Sequence, residues 1–227
     1  MPTRKQIVDL LSPIVERRDD VALFERTLIV KPVNSLIRFV FLDNTSASYR
    51  YDATWCVLPL VDPRKLNALG PGRGTIRGTT GLWDVLEPAS CNDFEKTLDR
   101  QVLPFLRSIT TLDDYMALEH QESRSWRWMY PFDLNLLCVD LARGNFAAAE
   151  TWLANLYADE ELQRRMQDGR SYAEIVEPLA PLFAARDRAG IAAKLREFEA
   201  ISVKSLGLEA LWEYQPFPIE MQSEQGG

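Results

Sequence analysis

The chain has 227 residues, of which 46% are hydrophobic and 26% are charged, and its formal net charge is −7. This composition is typical of a globular protein with a sizeable core and excludes a low-complexity or disordered chain. The three cysteines have no CxxC spacing, which argues against a disulfide framework and a zinc site and favours reduced thiols in a cytoplasm.

The N-terminal run MPTRKQIVDLLSPIVERRDD begins with positive charge, but Asp9 and Pro13 interrupt its apolar residues and no small-residue cleavage site follows. We therefore do not expect a signal peptide. No segment approaches the roughly 18 consecutive apolar residues of a membrane span, and Arg38 interrupts the most apolar run, LIRFVFL. These features predict a soluble, cytoplasmic protein with no membrane partner.

The negative charge is unevenly distributed along the chain. Residues 1–110 contain 15 Lys and Arg against 13 Asp and Glu, whereas residues 111–227 contain 11 against 20 and carry a net charge of −9. An acidic surface repels nucleic acid and attracts basic proteins. We expect a basic protein partner and no nucleic acid. The alternative is that the acidity serves solubility alone.

Residues 1–110 predict a helix followed by an antiparallel sheet. Thr3 can cap a helix whose apolar residues recur at helical spacing, and Pro13 is expected to kink or shorten it. Three strand-like runs follow, FERTLIVKPV from Phe24, SLIRFVFLDN from Ser35 and YRYDATWCVLPLV from Tyr49. In the third run, aromatic and polar residues alternate, which is the period-2 pattern of a sheet with one wet face. Short polar connections favour a β-meander.

The rest of the chain predicts helices. Ser90 or Asn92 is expected to open one with an apolar side formed by Phe94, Leu98, Val102 and Leu106. From Leu112 onward, helical hairpins turn at residues 143–145 and 186–190. The predicted fold class is α+β: an N-terminal helix and antiparallel β-meander in residues 1–110, then C-terminal helical hairpins in residues 111–227. The two parts are separate domains or one fused domain.

The stretch GPGRGTIRGTTG, from Gly70 to Gly81, raises the question of a phosphate cradle. Its spacing fits neither GxGxxG nor GxxxxGK[ST], and the residues DPRKLNAL separate it from the preceding strand. The functional interpretation is an anion site in which Arg73 and Arg77 supply the charge. The structural interpretation is a mobile or hairpin-like loop before the next helix.

The residues that commonly carry catalysis are sparse. His120 is the single histidine, and no local signature supports pairing it with Cys56 or Cys138. Glu119, His120 and Glu122 do not share one helical face and form a poor transition-metal set. We therefore predict no catalytic residues, no metal site and no cofactor.

Neighbouring acids occur at Asp19-Asp20, Asp113-Asp114 and Asp159-Glu160-Glu161. A two-carboxylate hydrolase needs two acids that meet in a cleft with different pKa values, and neighbouring positions in the sequence do not provide this. Because these acids lie at predicted helix starts, we expect them to cap helices and compensate the helix dipole instead. Asp159, Glu160 and Glu161 are also candidate contacts for a basic partner, since they lie in the acidic half.

The run RSWRWMYPF places Trp126, Trp128 and Tyr130 at alternate positions around Arg127. In a basic protein this pattern would favour stacking on bases. In the acidic half it favours a protein interface, where tryptophan, tyrosine and arginine are the usual hot-spot residues. Packing between the two predicted parts is the structural alternative.

The runs TLIVKPVNSLIRFVFLDN and DFEKTLDRQVLPFLRSI, on either side of a Tyr- and Trp-bearing strand that ends in CVLPLV, resemble a type of bacterial protein associated with polymorphic-toxin and immunity loci. The resemblance covers roughly residues 24–118, and its motifs are structural. It implies an immunity-type function and carries over no catalytic residue.

Three functional hypotheses follow. The first is a non-enzymatic, protein-binding immunity protein that neutralises a bacterial toxin or effector by covering its basic active site. The second is a phosphate or nucleotide binder, or an enzyme, that uses Arg73 and Arg77 of the Gly-rich stretch. The third is a structural adaptor of a bacterial assembly.

Overall fold

The computed structural model describes residues 3–44, 49–63, 73–78, 81–122, 132–158 and 172–224. It confirms the predicted α+β fold class, with an N-terminal helix, an antiparallel meander and C-terminal helices. The strands are β1 (Val21–Phe24), β2 (Thr27–Val30), β3 (Leu36–Asn44), β4 (Arg50–Pro59), β5 (Arg73–Ile76) and β6 (Trp83–Asp84). The helices in these ranges are α1 (Arg4–Glu16), α2 (Pro88–Thr97), α3 (Leu103–Ser108), α4 (Leu112–Glu122), α5 (Phe132–Ala142), α6 (Phe146–Ala158), α7 (Glu177–Ala184), α8 (Arg188–Leu206) and α9 (Pro218–Glu224).

Helix α1 begins at the predicted cap. The Thr3 hydroxyl accepts a hydrogen bond from the Gln6 N–H at 3.2 Å, and the Gln6 side chain accepts one from the Thr3 N–H at 2.8 Å. This capping box satisfies two N–H groups that the first helical turn cannot pair. The helix continues through Pro13 to Glu16, so the predicted shortening at that proline is not observed.

The sheet is a meander in which β1 to β5 are antiparallel neighbours, while β6 pairs with the beginning of β4. Two strands differ from the prediction. The run from Phe24 belongs to a hairpin, because Glu25 takes a φ of 55° and turns the chain between β1 and β2. Within the Gly-rich stretch, Arg73–Ile76 forms β5 on the edge of β4. The interpretation of that stretch as a loop is therefore wrong for those four residues.

The helical segment after β6 packs the predicted apolar side chains into the core, since Phe94, Leu98, Val102 and Leu106 are all buried. Its start differs from the prediction, because α2 begins at Pro88 with Glu87 before it. The Ser90 hydroxyl instead accepts a hydrogen bond from the Asp84 N–H at 2.9 Å. A π-helical turn, Leu98–Val102, joins α2 to α3.

Both predicted helical hairpins have the expected turns. Gly144 has a φ of 73° between α5 and α6. Asp187 precedes α8, and its carboxylate accepts a hydrogen bond from the Gly190 N–H at 2.9 Å. A second π-helical turn, Tyr172–Val176, leads into α7. Each described helix is too short or too polar to cross a lipid bilayer.

The main core joins side chains from both predicted parts of the chain, for example Ile7, Leu28 and Trp83 with Leu137 and Ile191. A smaller core lies on the opposite face of the sheet, and consists of Ile29, Val33, Ile37, Phe39, Cys56, Leu58, Leu60, Val203 and Leu208. Helix α8 contributes to both cores. Its last turns therefore fix the segment that follows it against the sheet.

Candidate functional site

The residues predicted to bind a partner lie outside the described ranges. They are Trp126, Trp128, Tyr130, Asp159, Glu160 and Glu161. Their part in an interface stays a prediction. Among the described residues, the candidates for an interface with a basic partner are therefore the remaining acidic residues of the segment 111–227.

The negative charge of the described helical half lies on its surface. Its exposed acidic side chains after residue 110 are Asp113, Glu150, Glu174, Glu177, Asp187, Glu197, Glu209 and Glu213. The exposed cations in the same ranges are Arg186 and Lys204. Some of these acids form ion pairs within the protein. Asp113, for example, contacts Arg143 at 2.6 Å.

Five of the exposed acids form no ion pair with any described residue. One of them, Asp187, accepts the hydrogen bond from Gly190 at the start of α8, and the other four are Glu174, Glu177, Glu209 and Glu213. We call these four residues the acidic set. Glu174 and Glu177 are three residues apart in the helical segment that leads into α7, a spacing that places side chains next to each other on a helix surface. Like charges that remain unpaired project a negative potential into solvent.

The other two acids of the set follow α8 in a segment that is fixed at the end of the sheet. The Glu213 N–H donates to the Val33 carbonyl at 2.7 Å, and the Val33 N–H donates to the Leu211 carbonyl at 3.3 Å. These bonds continue the sheet hydrogen bonding beyond β2. The backbone that carries Glu209 and Glu213 is therefore held in one place.

An arginine on α8 also contacts the residues that follow Glu213. Arg196 contacts the Glu199 and Glu220 carboxylates, each at 2.6 Å, and its guanidinium lies 3.6 Å from the Phe217 ring centroid. The Glu199 side chain is only 2% exposed. Burial raises the pKa of Glu199, and the hydrogen bond from Arg196 opposes that rise. Arg196 thus neutralises a buried carboxylate while it fastens the C-terminal residues.

The two arginines of the Gly-rich stretch occupy different surroundings. Arg73 lies on β5 opposite Cys56, on the face of the smaller core. Arg77 follows β5 and lines a cleft of about 300 Å³ together with Trp55. Arg73 does not line this cleft. An anion site held jointly by both arginines stays a prediction.

The described thiols are poorly suited to nucleophilic attack. Burial raises the pKa of Cys56 to about 12, although Arg73 opposes the rise. Cys138 is buried within α5. Cys91 is partly exposed, and burial followed by the charge of Asp84 raises its pKa. His120 belongs to α4, but its side chain is not among those that the structure describes.

The adjacent acids do not all cap helices. Burial raises the pKa of Asp114, but hydrogen bonds from Thr110 and Thr111 outweigh it and lower the pKa below its usual value. The Thr111 N–H donates to this carboxylate at 2.9 Å at the start of α4, which confirms the capping prediction there. The prediction is wrong for Asp20, which lies between α1 and β1 and pairs with Arg107 at 2.6 Å.

The structure also adds residues that the sequence patterns did not single out. Arg196 and Glu199 are three residues apart, which is also the spacing of ordinary ion pairs on a helix surface. The sequence therefore does not indicate that the Glu199 carboxylate is buried, and the structure shows that it is. The sequence indicates that Trp55 lies on a strand. It does not indicate that Arg77 lines the same cleft, because that depends on the pairing of β5 with β4. No protein-family model matches the chain, and no curated protein or solved structure is significantly similar to it.

Proposed function

We propose that this chain is a protein-binding protein that docks on a basic surface of a partner, as an immunity-type inhibitor does when it covers the active site of a toxin or effector. Complementary charge would accelerate the encounter and orient the two proteins, while a small number of well-packed contacts would hold the complex.

The observation that carries the proposal is the exposed negative charge of the acidic set, which forms no ion pair with any residue that the structure describes. Ion pairs within residues 111–227 cannot cancel the net charge of −9, because 11 cations face 20 acids. The structure shows where part of this charge lies: the acidic set keeps its four carboxylates exposed, and only Arg186 and Lys204 are exposed cations in the described part of this half. Such a surface attracts a partner of opposite charge over distances of about one Debye length, roughly 10 Å at 0.1 M salt.

The test is a pull-down from the source organism with three tagged proteins. These are the wild-type chain, a variant with the acidic set changed from Glu to Gln, and a matched control. The control neutralises four exposed acids of the other half that form no ion pair among described residues, namely Asp9, Glu16, Asp19 and Glu87. Both variants change the net charge equally, so they differ only in where the charge is removed.

We expect the wild type and the control to retain one basic protein at equal stoichiometry, and the acidic-set variant to lose it. Purified partner should then be inactive as a toxin when the chain is bound. Equal retention by both variants would contradict the proposed docking surface. A partner that keeps its activity in the complex would contradict the inhibitor role.

A further inference from the structure

The cleft that Arg77 lines contains none of the four residues of the acidic set. We call it the aromatic cleft. Its walls are the edge of the sheet at β4 and β5 on one side and the segment from α2 to α3 on the other. The side chains that matter to the argument are those of Trp55, Phe105, Arg77, Gln101, Thr75 and Thr97.

Two aromatic rings, one from each wall, meet at the aromatic cleft. Trp55 and Phe105 meet edge to face, with centroids 4.8 Å apart and planes at 66°. Gly74 lies opposite Trp55 in the sheet, and a Cβ at that position would lie 2.5 Å from the indole ring. Because Gly74 has no side chain, the indole can lie across β5. Trp55 remains partly exposed and lines the cleft.

The helical wall, which carries Phe105, also contains the irregular part of the helical segment. The π-helical turn Leu98–Val102 inserts an extra residue and places both Gln101 and Val102 along the cleft. Such turns cost stability relative to a regular helix and occur frequently at functional sites. Here the turn combines an apolar contact from Val102 with an amide from Gln101.

The polar groups of the cleft favour an anion. Among the residues that the structure describes, Arg77 is the only charged one that lines the cleft, and it forms no ion pair with any of the others. The indole N–H of Trp55 is neither buried nor hydrogen-bonded within the same ranges. The Gln101 amide and the Thr75 hydroxyl also have no described protein partner, whereas the Thr97 hydroxyl donates to the Asp93 carbonyl at 2.8 Å.

We propose that the aromatic cleft binds a planar aromatic carboxylate, with its ring against Trp55 and Phe105 and its carboxylate on Arg77. A single guanidinium balances a single negative charge and matches a carboxylate with two parallel hydrogen bonds. The volume of about 300 Å³ is at the lower end of the range for ligand pockets, which suits a ligand of one or two rings. This proposal is independent of partner binding.

The test is isothermal titration of the full chain with three probes. The first, 2-naphthoate, carries both the ring and the charge. The second, 2-naphthalenemethanol, keeps the ring without the charge, and the third, cyclohexanecarboxylate, keeps the charge without the aromatic ring. We expect 2-naphthoate to bind at least about tenfold more tightly than either of the others, since each lacks one of the two recognised groups.

Two arginine variants separate the cleft from general surface charge. We expect R77A to weaken 2-naphthoate binding about tenfold and to leave binding of the neutral alcohol unchanged. The matched control is R100A, because Arg100 is exposed on the adjacent π-helical turn and does not line the cleft. We expect it to change the affinity by less than about twofold.

Three results would overturn the proposal: absence of 2-naphthoate binding at millimolar concentration, equal affinity for the neutral alcohol, or equal weakening by R77A and R100A. Both arginines lie on the surface, so both variants should fold, and unchanged thermal unfolding will verify this. The variant that neutralises the acidic set should bind 2-naphthoate like the wild type, which distinguishes failure of this site from failure of partner binding.

Discussion

Replacing Arg196 with methionine should destabilise the protein strongly and in a pH-dependent way. Methionine keeps an unbranched apolar side chain at this position, but it removes the guanidinium from the Phe217 ring and leaves the Glu199 carboxylate buried without its cation. Removing one partner of a buried ion pair typically costs 3–5 kcal/mol. Because the Arg196 side chain is itself 18% exposed and water can enter, we expect the lower end, about 3 kcal/mol at about pH 8.

The pH dependence follows from the direction of the Glu199 shift. Burial raises the pKa of Glu199 above its ordinary 4.5, so the folded state binds a proton more readily than the unfolded state. Stability is therefore lost as the pH rises from 4.5 through the raised pKa. Without Arg196 that pKa rises further, so a proton neutralises the buried carboxylate more readily as the pH falls, and the loss should shrink to about 1 kcal/mol at about pH 5.

The assay is urea unfolding at both pH values, with two companion variants. R188M is the matched control on the same helix, because Arg188 lies over the Phe146 ring and binds Gln222 without neutralising a buried acid. It should cost less than about 1 kcal/mol. Adding E199Q to R196M should restore about 2 kcal/mol at about pH 8. Equal losses for R196M and R188M, or a loss independent of pH, would refute the reasoning.

Three further predictions concern other parts of the fold. T111A should lower the free energy of unfolding by about 1 kcal/mol in urea titrations, because Thr111 is the cap of α4, and no loss would contradict that role. A thiol reagent at about pH 8 should label Cys91 first in the native protein, and Cys56 only after unfolding, because burial raises the pKa of Cys56 to about 12; early labelling of Cys56 would contradict its burial. D20N should cost about 0.5 kcal/mol at neutral pH after solvent screening. The hydrogen bond from Arg107 lowers the pKa of Asp20, so this cost should vanish in urea titrations as the pH falls below 3.8, and a constant difference would exclude that pairing.

Local signals predicted the regular elements because they depend on nearest neighbours along the chain. Thr3 and Gln6 are close in sequence, and so are the buried positions that recur at helical spacing from Phe94 to Leu106. The long strands β3 and β4 were recognised for the same reason.

The elements that were missed depend on distant contacts. The residues Arg73–Ile76 have no hydrophobic period, and they form β5 because the edge of β4 is free to pair and Gly74 accommodates Trp55. The aromatic cleft likewise requires Trp55 and Phe105 to meet across 50 residues of chain. The charge of the helical half was readable from the sequence. Which of its acids remain unpaired was not, since that depends on where each arginine lies.

The central claim, docking by the acidic set on a basic partner, is tested most directly by the association rate of the two purified proteins as a function of salt. Electrostatic steering accelerates association 10- to 1,000-fold, and salt screens it. We predict that the rate falls at least about tenfold between low and high salt, that neutralising the acidic set gives the slow rate at every salt concentration, and that the matched control remains fast. A rate that is indifferent to salt and to the acidic set would contradict the account.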